Sequence, residues 1–78
     1  MTITADPVMR YVLAREVINQ EMARVTAERI REEERESPSP AILVYLDSHM
    51  SSLVLLEQLL ANKEDMAAID AILNGSLF

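Results

Sequence analysis

The segment from Ile42 to Leu60 constrains the fold of this chain most, because its apolar side chains would lie on every side of a helix. Its apolar residues are Ile42, Leu43, Val44, Tyr45, Leu46, Met50, Leu53, Val54, Leu55, Leu56, Leu59 and Leu60. A helix that is apolar all round is buried on several faces. The few other apolar segments of a chain this small cannot cover all of that surface. We therefore expect a second copy of the chain, or a different protein, to cover part of it.

The length allows a single helical domain, residues 1–78. Below about 80 residues a single core rarely contributes more than about 3–5 kcal/mol, and disulfides, a metal or oligomerisation usually supply the rest. The chain has no cysteine, and His49 is its only histidine. Disulfides, thiolate metal sites and histidine clusters are therefore excluded. Oligomerisation remains, and we expect a homodimer.

The chain is acidic, with a net charge of −6. This charge repels phosphate and argues against binding to nucleic acid or to an anionic membrane surface. The apolar segment approaches transmembrane length, but Asp47 and Glu57 interrupt it and are expensive to bury in hydrocarbon. The first residues have neither the basic region nor the apolar run of a signal peptide. We expect a cytoplasmic protein that does not enter a membrane, and the absence of cysteine is compatible with that compartment.

Helix-start signals divide the chain into three helices and predict an all-α fold. Asp6-Pro7 and Ser39-Pro40 each place an N-cap acceptor before a proline that suits the first helical position, and Asn62 offers a third cap. The Ser-Pro-Ser-Pro segment ends the first helix and predicts an antiparallel hairpin, with the short third helix closing one end of a dimeric bundle. The predicted ranges are residues 7–35, 40–61 and 63–74.

Regular apolar spacing predicts which faces pack. On the first helix, the stripe is Val8, Tyr11, Val12, Ile18, Met22 and Val25. On the second, a seam spaced 4, 3, 4, 3, 4 has the heptad rhythm of knobs-into-holes packing, and we predict that it forms the dimer or partner interface. The seam residues are Ile42, Leu46, His49, Leu53, Leu56 and Leu60.

Two further surfaces are candidates for contact with a client protein. One is the outer apolar face near the carboxyl end, where the chain after the Asn74-Gly75 C-cap can fold back. The other is the arginine- and glutamate-rich segment 28–36. The candidate residues are Leu55, Leu59, Leu73, Phe78, Arg31 and Arg35.

The sequence argues against catalysis, cofactors and metals. Asp47, His49 and the neighbouring serines lie within about one and a half turns of one helix and point in different directions, whereas a catalytic triad needs groups that converge from separate elements. The single glycine cannot build a phosphate-binding loop. Consecutive glutamates near residue 33 point around the helix and lack the turn of a calcium loop.

The expected function is that of a non-enzymatic adaptor or regulator, which self-associates and sequesters or bridges a partner protein. Two alternatives remain open. An acidic decoy would imitate nucleic-acid phosphates and inhibit a nucleic-acid-binding enzyme. A dimeric transcription regulator would use the arginines of residues 24–35, although interleaved glutamates offset their charge. The carboxylates of the decoy surface would be Glu28, Glu32, Glu36 and Asp70.

Overall fold

A computed structural model describes residues 7–60 and 65–77 of the chain. Within these ranges 82% of the residues are helical and none is in a strand, so the all-α prediction is confirmed. The three helices are α1 (Pro7–Glu33), α2 (Pro40–Leu59) and α3 (Met66–Leu73). The predicted caps Asp6 and Asn62, and the predicted client residue Phe78, lie outside the described residues.

The helix ends follow local chemistry. Ser39 is the N-cap of α2, where its Oγ accepts a hydrogen bond from the Ile42 amide at 3.2 Å and Pro40 takes the first helical position. Asp65 caps α3 by accepting from the Ala68 amide at 3.1 Å. After α3, Gly75 has a φ of 79°, a left-handed conformation that glycine adopts without a Cβ clash.

A buried carboxylate fixes the turn between α1 and α2. Glu32 lies in the last turn of α1 and is buried. Its Oε2 accepts a hydrogen bond from the Ser39 amide at 2.7 Å, and its Oε1 accepts one from the Arg35 guanidinium at 3.1 Å. The Ser39 amide, more than any other group, holds the pKa of Glu32 below its ordinary value. Because Pro38 and Pro40 have no N–H, Glu32 satisfies the single amide donor that lies between them.

The other two helices pack on α1. One core cluster joins Val25 of α1 to Leu46 and Leu53 of α2. A second core cluster lies towards the amino end of α1 and includes the residue that directly follows α2. Its buried members are Ala14, Ile18, Leu60, Ile69 and Ile72. Among the described residues, no Cα of α2 lies within 8 Å of a Cα of α3, so α1 is the only close helical neighbour of α2.

Polar contacts between α1 and α2 align the two helices. The Arg29 Nε lies 2.6 Å from Asp47 Oδ1, near the start of α2. Towards the end of α2, Arg15 Nη2 lies 3.6 Å from Glu57 Oε2. Rising residue numbers on α2 thus meet falling numbers on α1. These pairs lie at the edges of the contact between the helices, and the apolar side chains fill its centre.

Candidate functional site

The seam predicted as an interface between chains faces α1 of its own chain. Leu46 and Leu53 are only 3% and 1% exposed and pack against Val25. Leu60 is buried in the second cluster, and Leu56 is partly buried against it. Ile42, in contrast, is exposed. The central seam positions are therefore enclosed within the chain, because α1 supplies an apolar stripe that matches them.

His49 belongs to a polar cluster between α1 and α2. Its Nε2 lies 3.0 Å from Glu21 Oε2, and its ring stacks on that of Tyr45 with centroids 6.2 Å apart. Glu21 also accepts hydrogen bonds from Nε and Nη2 of Arg24 at 2.9 and 2.6 Å. These hydrogen bonds, first those from Arg24 and then that from His49, lower the pKa of Glu21 to about 2. The cluster links the two helices through charge and hydrogen bonding.

The opposite face of α2 is apolar and open to solvent. At 3.6 residues per turn, Leu55 lies about 180° around the helix from Leu46. Leu55 and Leu59 are 54% and 63% exposed, and Val44 and Tyr45 are 63% and 65% exposed. We call one row of this face the outer seam, because its members are spaced 3, 4, 3, 4. The outer seam consists of Tyr45, Ser48, Ser52, Leu55 and Leu59.

The outer seam contains no ionisable residue except Tyr45. The acidic residues of α2 are Asp47 and Glu57, and the helix has no lysine or arginine. Both carboxylates pair with arginines of α1, so they lie towards the contact between the helices. The exposed face therefore combines leucine, tyrosine and serine without a charge that would select a charged partner.

An open cleft of about 350 Å³ adjoins the outer seam. Four of its residues, Ser52, Leu55, Leu56 and Leu59, have the relation i, i+3, i+4 and i+7. This is the diamond of four side chains that receives a side chain from a facing helix in knobs-into-holes packing. The remaining lining residues are His49, Leu53 and the exposed Leu77, which follows α3. The four α2 residues of the cleft thus have the relative positions of such a hole.

A second open cleft, of about 530 Å³, lies beside the turn between α1 and α2. It contains Arg31 and Arg35, which the sequence analysis assigns to a client surface. Arg35 is paired with Glu32. Within the part of the chain that the structure describes, the Arg31 side chain forms no ion pair. The cleft is lined by Glu28, Arg31, Glu32, Arg35, Ile42 and Leu46.

The other candidate residues are more engaged within the chain. Leu73 is partly buried against the second core cluster. Of the carboxylates assigned to a decoy surface, Glu32 is buried, Glu28 pairs with Arg24 and Asp70 pairs with Arg10. Their charges are therefore partly offset by neighbouring arginines.

Neither a metal site nor a membrane span is present in the described ranges. No three histidine, cysteine, aspartate or glutamate side chains of residues 7–60 and 65–77 are placed to hold a metal ion together. Over the same residues, no helix has the length and hydropathy needed to cross a bilayer. Comparisons with models of known families, with curated proteins and with solved structures found no match.

Proposed function

We propose that this protein is a non-enzymatic helical adaptor or regulator that binds another protein chain through the outer seam of α2 and acts by sequestering or bridging it. The observation that carries the proposal is that α2 has more apolar surface than the neighbouring helices of its own chain cover. This helix has apolar side chains on all sides, yet α1 is its only close helical neighbour among the described residues.

The exposed side chains favour association energetically. Burying a leucine completely contributes about 1.5–3 kcal/mol relative to leaving it in water. Leu55 and Leu59 retain more than half of their exposure, so part of that free energy is still available to a partner. Single exposed apolar residues are ordinary, but apolar side chains that adjoin one another mark an interaction site, and Leu55 and Leu59 adjoin Leu56 and Leu77 around one cleft. The outer seam joins such residues along one line of the helix.

The dimeric bundle belongs to this proposal. Two helical hairpins, each formed by α1 and α2, would pair to give four helices around a shared apolar layer. The interface of that bundle would be the outer seam, because the seam assigned to it from sequence spacing is occupied by α1. Each protomer would retain its own core clusters, and a further apolar layer would form between the two chains.

The proposal is tested by the double substitution Leu55→Glu/Leu59→Glu. Wild type and variant are immobilised, exposed to native lysate at high salt, and the bound proteins are quantified by mass spectrometry. We expect wild type to retain specific partners, including untagged copies of this chain, and the variant to lose them. Circular dichroism verifies that the variant remains helical.

The matched control is Leu13→Glu/Ile30→Glu, which changes two exposed apolar residues of α1 by the same charge. It is expected to retain the partners. Binding that survives Leu55→Glu/Leu59→Glu would contradict the proposal. Binding that disappears in high salt would instead support an acidic decoy, since contacts with a basic target are steeply salt-dependent.

A further inference from the structure

We infer that the outer seam of α2 binds the outer seam of a second copy of this chain, with the two α2 helices antiparallel. The inference rests on the proposed function and names the partner of the same surface. It commits to a register in which Ser52 lies opposite Leu55 of the second copy and Ser48 lies opposite Leu59. Three features of the seam support this choice.

The first feature is charge. Two copies of a chain with a net charge of −6 repel each other over most of their surfaces. The outer seam avoids this repulsion, because the carboxylates of α2 lie towards α1, where Arg29 and Arg15 offset them. A second copy can therefore approach this face without bringing unpaired carboxylates together. A basic partner would find no carboxylate in the seam to bind.

The second feature is the grouping of side-chain size along the seam, where two serines are followed by two leucines. In an antiparallel pair of helices with heptad spacing, the two types of seam position face each other across the interface. In the proposed register each of the four layers from Ser48 to Leu59 combines one serine with one leucine, so the helices keep a constant separation over these layers. A shift by one heptad would place Ser48 opposite Ser52, between bulkier layers, and leave a gap. A parallel pair would place two serine–serine layers beside two leucine–leucine layers and could not pack both pairs of layers closely at one helix separation.

The third feature is the cleft beside the seam. Its diamond of Ser52, Leu55, Leu56 and Leu59 has the arrangement that receives a side chain of a facing helix in knobs-into-holes packing. The four layers between Ser48 and Leu59 span about 17 Å of helix at 1.5 Å per residue. This contact is short, so we expect a dimer whose population depends on concentration.

Exchange of side chains across one layer tests the register. Sedimentation velocity over a concentration series compares wild type with Ser52→Leu, Leu55→Ser and the double variant Ser52→Leu/Leu55→Ser. Each single substitution creates mismatched layers and should weaken dimerisation about tenfold, equivalent to about 1.4 kcal/mol. The double variant restores one serine and one leucine in every layer and should return to within about threefold of wild type.

Two results would overturn the inference. One is a wild type that remains monomeric at every concentration. The other is a dimer strengthened by Ser52→Leu, because added apolar surface strengthens a parallel or non-specific contact but overpacks the proposed layers. Circular dichroism of each variant verifies that the fold is retained.

Crosslinking tests the direction of the helices independently. The natural chain contains no cysteine, so a single introduced thiol reports on one position. In the proposed register, two copies of residue 52 are offset by about 4.5 Å along the helix axis, and two copies of residue 45 by about 26 Å. A short bismaleimide should link Ser52→Cys chains efficiently and Tyr45→Cys chains poorly. Equal crosslinking at both positions would contradict an antiparallel pair.

The same proteins separate failure of this inference from failure of the proposed function. A wild-type monomer that still binds another protein, with binding lost in Leu55→Glu/Leu59→Glu, overturns the second copy as partner and with it the dimeric bundle, but leaves the adaptor function standing. A wild type that forms neither a dimer nor a complex overturns both proposals. A dimer with the expected response to the serine and leucine exchange supports both.

Discussion

The two apolar faces of α2 have similar spacing but opposite surroundings. Leu46 and Leu53 on the inner face are almost completely buried against α1, whereas Leu55 and Leu59 on the outer face are more than half exposed. The inner face is bordered by polar contacts with α1, such as that between Arg29 and Asp47. The outer face has serines and no such contacts. The spacing of apolar residues therefore shows which residues share a face of the helix. The polar residues at the edges of a face show whether the same chain covers that face.

The largest expected difference between the two faces is in folding stability. Leu53→Ala removes a side chain from the core and should lower the free energy of unfolding by about 2–5 kcal/mol. Leu55→Ala, in contrast, should change it by less than about 0.5 kcal/mol at concentrations where the chain is monomeric. Urea denaturation of both variants measures the comparison. Equal losses at low protein concentration would show that the outer face is also part of the protomer core.

A substitution outside both the inner and the outer face of α2 serves as a reference for the size of these stability effects. Ser39→Ala removes the N-cap acceptor for the Ile42 amide and should lower the free energy of unfolding by about 1 kcal/mol. Because Ser39 lies before α2 and is not a member of the outer seam, dimerisation by the folded protein should be unaffected. Urea denaturation and sedimentation measure the two effects. Weaker dimerisation without a loss of stability would contradict the assignment of the Ser39 side chain to the helix cap.

The smallest expected effect is the acid sensitivity of the inner face. The pKa of Glu21 is about 2, compared with an ordinary value of 4.5, so the unfolded chain binds the proton first. The contribution of Glu21 to stability is therefore complete above about pH 4.5 and is lost as the pH falls towards 2. The effect should be smaller than that of Ser39→Ala, since Arg24 is exposed to solvent and its interaction with Glu21 is screened.

Chemical denaturation of wild type and Glu21→Gln at a series of pH values isolates this contribution from those of other carboxylates. The difference in stability between the two proteins should shrink over the interval from pH 4.5 to pH 2. A difference that stays constant over this interval would show that the contacts of Glu21 with Arg24 and His49 do not stabilise the fold.

The helical fold could be predicted from local signals, because caps and prolines act over a few residues. Ser39-Pro40 predicts the start of α2 where the structure has it. For α3, the predicted cap Asn62 lies outside the described residues, and the described helix starts after Asp65, which is its N-cap. The first helix was predicted to reach residue 35, but α1 ends at Glu33. The buried Glu32 accepts a hydrogen bond from the Ser39 amide there, and this contact across the turn is not part of the helix-end signals that the sequence displays.

The packing of faces was harder to predict. The stripe predicted for the first helix includes Ile18 and Val25, which are buried, but also Val8 and Val12, which are exposed. The small Ala14 occupies the core instead, since a close approach of α3 favours a small side chain there. On α2, the regular spacing of the outer seam is present in the sequence. It is difficult to recognise as an apolar pattern, because two of the five positions, Ser48 and Ser52, are serines.

Because α2 and α3 both pack on α1, the extent of each contact determines the order in which the helices unfold. α3 has only eight residues, and a helix that short does not persist in water without its packing surface. Its backbone amides should therefore exchange with deuterium before those in the middle of α2. The amino end of α1 would fray together with α3, while the segment that carries Val25 stays protected. On heating or limited proteolysis, α3 and the amino end of α1 should therefore unfold or be cleaved first, and the middle of α2 should be the last part to lose its structure.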